Sequence, residues 1–527
     1  MGISLTTRRD IKGSRLSGDT SDNLRMSSQP HALSLADHTR LSVSPTLDSE
    51  RRSKLGQFMT PASVATFMAG MFDRLPKDIR LLDAGAGVGS LTAAFVREAI
   101  TRKDRPRSID VTTFEVDPVL GQHLAQTLVA CSDECEEAGI AFTSRVIPED
   151  YILHAAAPLL SEHSAPEQYD CAILNPPYAK INTASKARKA LSSMGIETTN
   201  LYTAFVAVAL DQLKPGGQLV AITPRSFCNG SYFKPFRRFV LEHSALRKIH
   251  VYESRKQAFK DDEVLQENII YQLVKAEPQA ATVRISLSHS PQDLDATARD
   301  VPFAEVVLPN DPHVFIRLAV SEEDGDLALR VQALPCTLRD LGVTVSTGRV
   351  VDFRARDYLR KDPEPGSVPL IYPCHFNGGY VSWPKPGAKK PNALVSNAET
   401  AALMVPRGTY VLTKRFSSKE EKRRLVAVVY DPGRIDSEVV GFENHLNYFH
   451  QSGEGLPGDL ARGLALFLNS TAVDQYFRQF SGHTQVNATD LRNLHYPTVK
   501  QLEKAGRHFG EALPDQERID EIVEALL

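Results

Sequence analysis

A chain of 527 residues with 42% hydrophobic and 24% charged residues has the composition of a globular protein and is too long for one ordinary core, so at least two domains are expected. No apolar run approaches the roughly 18 residues that a bilayer span needs, which excludes a helical membrane protein. The net charge of −3 excludes an overall polycation, but not a basic surface confined to one part of the chain.

Residues 1–50 are rich in Ser, Thr, Arg and Asp and are expected to be mostly a flexible tail. Residues 51–280 form the expected first domain. From about Leu55 to Lys275, short apolar runs alternate with longer amphipathic stretches, as a parallel sheet flanked by helices demands. The expected strands are "IRLLDAG", "IDVTTFEVD", "TSRVIPED", "YDCAILN", "GGQLVAITP", "LRKIHVYES" and "NIIYQLVK". Helical spacing runs through "SLTAAFVREAI", "PVLGQHLAQTLVACSDECEEAG" and "LYTAFVAVALDQLK". The fold class is therefore α/β.

The first strand runs into "LLDAGAGVGS", with glycines at 85, 87 and 89. Glycine lets the backbone turn sharply and lets a ligand approach without a Cβ in the way. The second strand ends in Glu115, at a tip where a carboxylate can accept both hydroxyls of a ribose. The loop reads D-x-G-x-G-x-G rather than the dinucleotide G-x-G-x-x-G, and Asp83 precedes the glycines where it could meet a cationic amino-acid group. S-adenosylmethionine carries such a group and is the expected cofactor.

The fourth strand stops at "NPPY", residues 175–178. Residues 281–330 lose the regular alternation and are expected to be a linker or crossover. From Ser286 to Arg330 there are nine acids against three bases; from Val331 to Tyr430 there are sixteen Lys and Arg against eight Asp and Glu. Residues 331–527, with short strands, turns and a late helix, make the expected second, mixed α/β domain. The six cysteines are scattered, and "CSDEC" lacks the second ligand pair of a zinc site, so no metal is expected. With no signal peptide read at the start, a reduced cytoplasmic compartment is expected.

"LDAGAGVGS", "FEVD" and "NPPY", together with "KLGQFMTP" upstream, resemble the motifs of gamma-class, TaqI-like N6-adenine DNA methyltransferases of restriction-modification type. The resemblance covers about Lys54 to Lys275 and continues more loosely through "VSTGRVVDFR" and "SGHTQVNATDLRNLHYP". It implies a Rossmann-like class I S-adenosylmethionine-dependent methyltransferase domain, with a target recognition domain at the C-terminus. Gln57, Phe58, Thr60 and Pro61 would then line the amino-acid end of the cofactor. Asp83, Gly85 and Gly87 would shape the loop, and Glu115 would bind the ribose. Asp150 would accept from the cofactor's adenine amino group, with Tyr151 packed on that ring. Phe259 would lie against the target base.

The chemistry implied for NPPY follows from adenine itself, whose N6 lone pair is delocalised into the ring. If the Asn175 side-chain oxygen and the Pro176 carbonyl each accept one N6 hydrogen, the lone pair is turned toward the incoming methyl group. Pro177 stiffens the turn, and Tyr178 offers a face on which an extruded base can stack. Duplex DNA is the expected partner, with a separate cognate restriction endonuclease, and a monomer is expected. The alternatives are a methyltransferase acting on RNA or protein, and a catalytically silent DNA-binding module with the same fold. The basic, polar stretches "STGRVVDFRARDYLRK", "WPKPGAKKPN" and "VLTKRFSSKEEKRR" carry the side-chain types that hold phosphates and read base edges.

Overall fold

The computed structural model describes residues 31–46, 58–160, 167–252, 267–290, 297–417, 421–482 and 484–527. Gln57 and Phe259 lie outside the described residues, as does His483 of the C-terminal "SGHTQVNATDL" segment. The chain divides into two compact units: residues up to Phe227 with Tyr232–Ala304, and Cys228–Ser231 with Glu305–Leu527.

The first unit is built on a nine-stranded sheet ordered β3-β2-β1-β4-β5-β7-β6-β8-β9. Its strands are β1 (Asp78–Ala84), β2 (Ser108–Phe114), β3 (Ala141–Ile147), β4 (Tyr169–Leu174), β5 (Leu213–Pro224), β6 (Ser244–Tyr252), β7 (Asn268–Lys275), β8 (Thr282–Ser288) and β9 (Thr297–Pro302). β1 through β5 pair in parallel, whereas β7 runs antiparallel between β5 and β6. With the intervening helices, this is the class I methyltransferase fold. The seven strands read from the sequence are β1 to β7; the reversal of β7 is new, because periodicity reports burial and not direction.

Why these segments become central strands is visible in their burial. Leu81, Leu82 and Ala84 of β1, and Cys171 through Leu174 of β4, are all completely buried, as expected where helices cover both faces of a sheet. Strand order reverses between β1 and β4, which opens a crevice at their carboxyl ends.

Two stretches differ from the sequence reading. Ala32–Val43, inside the expected tail, is a helix whose Ala32, Ala36, Thr39 and Val43 are buried. Their spacing of four, three and four residues makes one helical face, and Ala32 N–H donates to Glu134 on the helix Pro118–Glu137. The expected linker supplies β8 and β9, with β8 parallel to β6 and β9 antiparallel to β8. Val283 and Ile285 alternate into the core, a short period-two signal that the surrounding Pro, Ser and Asp obscured.

The second unit holds a six-stranded and a five-stranded sheet. β10 (Tyr410–Lys414) and β12 (Leu446–His450) belong to the first, and β11 (Val439–Phe442) to the second. The helices Gly458–Leu468 and Val499–Gly506 pack against each other through Gly463 and Gly506; a Cβ on Gly463 would fall 1.8 Å from the Leu502 carbonyl oxygen, so only glycine allows the approach.

Candidate active site

Residues at the carboxyl ends of β1, β2 and β4 surround a cleft of about 990 Å³, its open mouth included. Phe58, Thr60, Gly85, Gly87, Glu115, Asp150, Tyr151, Asn175 and Pro177 all line it. One wall is the glycine loop. Gly87 takes φ +58° and Gly89 φ +88°, values that side-chain-bearing residues seldom adopt. The turn is pinned by the Gly85 and Ala86 N–H groups, which both donate to the Phe114 carbonyl at 2.9 Å.

Glu115, at the tip of β2, is 6% exposed. One carboxylate oxygen accepts from Gly87 N–H at 2.9 Å and the other from Asp117 N–H at 2.8 Å. Burial pushes its pKa up, and these N–H groups oppose that. Each oxygen keeps a further acceptor position, which suits the two hydroxyls of a diol.

Asp83 lies fully buried beneath the loop, outside the cleft lining. One of its oxygens accepts from Thr92 Oγ1 at 2.7 Å and the other meets no partner among the described residues. Burial, only partly opposed by the Thr92 hydrogen bonds, pushes its pKa up to about 7.

Asp150 caps the helix Tyr151–Ala156, accepting from Leu153 N–H at 3.0 Å. The ring of Tyr151 is held edge-on to Phe114 and tilted on Phe205, and its hydroxyl donates to Gln212 at 2.7 Å. Tyr151 is therefore a fixed wall, 2% exposed. Pro61, expected to line the site, is not among the cleft-lining residues and immediately precedes the helix Ala62–Gly70.

The NPPY turn is tied to the upstream segment. Asn175 Nδ2 donates to the Phe58 carbonyl at 2.7 Å and to Thr60 Oγ1 at 2.9 Å. Exchanging the amide's nitrogen and oxygen would set oxygen against the Phe58 carbonyl, so this network fixes which end is which. The Asn175 oxygen accepts from the Tyr178 hydroxyl at 3.1 Å. Tyr178 is half-buried, with Phe58 5.7 Å away and Tyr202 edge-on at 6.1 Å. Burial raises its phenol pKa, with Tyr271 and Tyr202 adding to the shift.

The family relationship fits this geometry. Over 491 residues the chain is 49% identical to the Type II methyltransferase M.PstI of Providencia stuartii, covering 93% of this chain and 96% of that protein. The chain belongs to the Type II methyltransferases. M.BsuBI of Bacillus subtilis, another member, is 44% identical over 503 residues, covering 94% of this chain and 98% of its own. Residues 125–259 match the Eco57I restriction-modification methylase family. Among solved structures, the Type IIL restriction-modification enzyme MmeI in complex with DNA is similar in fold, with a TM-score of 0.52 at 13% identity over 93% of this chain and 75% of that one.

The cleft-lining residues of this Type II methyltransferase that were not singled out from the sequence include Val116, Phe205 and Ser90. Val116 is 51% exposed immediately after Glu115; an uncovered valine at a strand tip is its only signal. Phe205 reaches the cleft from the helix Leu201–Asp211, where it looked like any core position. Ser90, directly after Gly89, is buried with its hydroxyl unpartnered among the described residues. No group of His, Cys, Asp and Glu among the described residues is placed to hold a metal. No described helix is long and apolar enough to cross a membrane.

Proposed function

We propose that this Type II methyltransferase transfers a methyl group from S-adenosylmethionine to N6 of an adenine swung out of duplex DNA, as the gamma-class enzymes it resembles do. The observation that carries this reading is the orientation of Asn175: its nitrogen is committed to Phe58 and Thr60, which leaves its oxygen as the acceptor on the cleft wall.

The cleft suits the cofactor on its own chemistry. Glu115 offers acceptor positions to the ribose, Asp150 has an oxygen left for an adenine amino group, and Phe114, Val116 and Phe205 supply apolar walls. Phe58, Thr60 and the Gly85–Gly87 turn would enclose the amino-acid end. When bound, the cofactor supplies an electrophilic methyl on a sulfonium.

The chain's own part is orientation. Asn175 Oδ1 and the Pro176 carbonyl accept the two N6 hydrogens and turn the lone pair out of the ring plane. Tyr178 offers a stacking face, worth roughly 1 to 3 kcal/mol against an extrusion cost of a few kcal/mol. After transfer the nitrogen is strongly acidic and loses its proton to water, so no general base is required. Residues 331–527 would supply target recognition, and a separate endonuclease would complete the restriction-modification pair.

The test is to incubate purified protein with methyl-labelled S-adenosylmethionine and DNA lacking adenine methylation, then digest the DNA to nucleosides. Label in N6-methyladenine is expected. Label in cytosine, or in RNA or protein offered in parallel and not in DNA, overturns the assignment.

A further inference from the structure

In the second unit, chain segments far apart in sequence meet around a two-residue turn, Asn444–His445, on the way from β11 to β12. Glu443 opens the turn with its side chain completely buried, and its carboxylate accepts from His445 twice: from Nδ1 at 2.6 Å and from the backbone N–H at 2.9 Å. The carboxylate can only accept, so the Nδ1 nitrogen carries hydrogen and the ring's orientation is set. The His445 side chain is 44% exposed, and its Nε2 has no hydrogen bond to a described residue.

The ring is also backed from the side. Phe416, 40% exposed, lies 4.8 Å from it, and the Arg415 guanidinium stands 5.7 Å from the Phe416 ring centroid. Arg415 N–H donates to the His445 carbonyl and its guanidinium to the Asn444 carbonyl. Gly348 closes the turn from below; a Cβ there would stand 2.1 Å from the Glu443 carbonyl oxygen, so glycine is required. A buried acid, a turn fixed by backbone hydrogen bonds and a partly exposed cation–aromatic–imidazole row form a polar head whose outer nitrogen has no hydrogen-bond partner among the described residues.

We propose that the outward imidazole of His445, oriented by Glu443 and backed by Phe416 and Arg415, reads a base edge in duplex DNA and sets specificity at one base pair. This rests on the methyl-transfer reading above. Duplex DNA is the fitting partner because the only acid in the group is turned inward, while Arg415 lies in the stretch 331–430 with an excess of eight bases over acids. Glu443 is a positioning residue, acting through the ring it holds.

The experiment treats unmethylated genomic DNA with the full-length protein and S-adenosylmethionine and maps modified positions by single-molecule sequencing. Wild type is expected to modify one motif. His445→Ala is expected to modify the same motif with discrimination at one base pair reduced about 10-fold or more, the other positions and the cofactor Kd unchanged. Glu443→Ala is expected to relax that same position, with no further change in the double variant; if Glu443→Ala fails to fold, His445→Ala decides alone. A His445→Ala enzyme with full stringency at every position, or with its rate lowered equally on all sequences, overturns the proposal. Wild type that modifies no DNA defeats the underlying methyl-transfer reading instead.

Discussion

Tyr178 donates its phenolic hydrogen to Asn175 Oδ1 at 3.1 Å, the oxygen proposed to receive a target hydrogen. An amide oxygen accepts two hydrogen bonds, so the phenol orients this acceptor without exhausting it. Tyr178→Phe should therefore lower kcat by less than about 10-fold, the worth of one net hydrogen bond. Tyr178→Ala also removes the stacking face and should raise KM for DNA roughly 10- to 100-fold. Steady-state methylation kinetics on a fixed duplex separate the two.

Asn175→Ala removes the acceptor and frees Phe58 and Thr60 from their shared donor. Transfer should become undetectable, while the cofactor Kd, read by calorimetry, should weaken by only about 3- to 10-fold. Complete loss of cofactor binding with a lowered Tm would mean that the residue serves the fold.

Glu115→Gln keeps the shape of the side chain but turns an NH2 group toward backbone N–H groups that now find an acceptor. Cofactor Kd should rise at least about 10-fold. An unchanged Kd would remove Glu115 from the proposed ribose site.

Asp83 makes stability depend on pH. Its folded pKa of about 7 lies above its ordinary 3.8, so folding takes up a proton between those values. The stabilisation from this group is complete below about pH 4 and is lost as pH rises through about 7. Thermal melts from pH 6 to 8 should show Tm falling in wild type relative to Asp83→Asn, which has no proton to lose. Parallel curves would place the carboxylate elsewhere.

Gly89→Ala tests the loop by strain. The new Cβ would sit 3.0 Å from both Leu124 Cδ1 and Thr127 Cγ2 on a backbone at φ +88°. A loss of about 1 to 3 kcal/mol in urea unfolding is expected.

Much of the first unit was legible because its strands and helices carry strong periodicity and its turns carry glycine and proline in informative places. Gly85, Glu115 and Asn175 could be picked out as candidates because each directly follows a strand end, and Gly87 because it continues the same glycine loop. Sequence alone could not show that Asn175 is bonded to residues 58 and 60, since that contact spans more than a hundred positions. Nor could it show the strands β8 and β9 or the buried face from Ala32 to Val43, whose apolar signals are short and embedded in polar surroundings. In the second unit, Glu443 and His445 stand two positions apart in one short polar stretch, and only depth, which sequence does not report, separates the acid from the imidazole it holds.

The bond from Asn175 to Thr60 means that a defect at either end produces the same symptom. A variant at Thr60 lies outside the proposed pair of acceptors, yet it removes one of the two partners of the amide nitrogen and leaves the Phe58 carbonyl alone to orient Asn175. In a collection of inactive mutants, the strap from Phe58 to Thr60 and the turn at Asn175 would group together as one lesion, despite lying on opposite sides of half a domain's worth of chain.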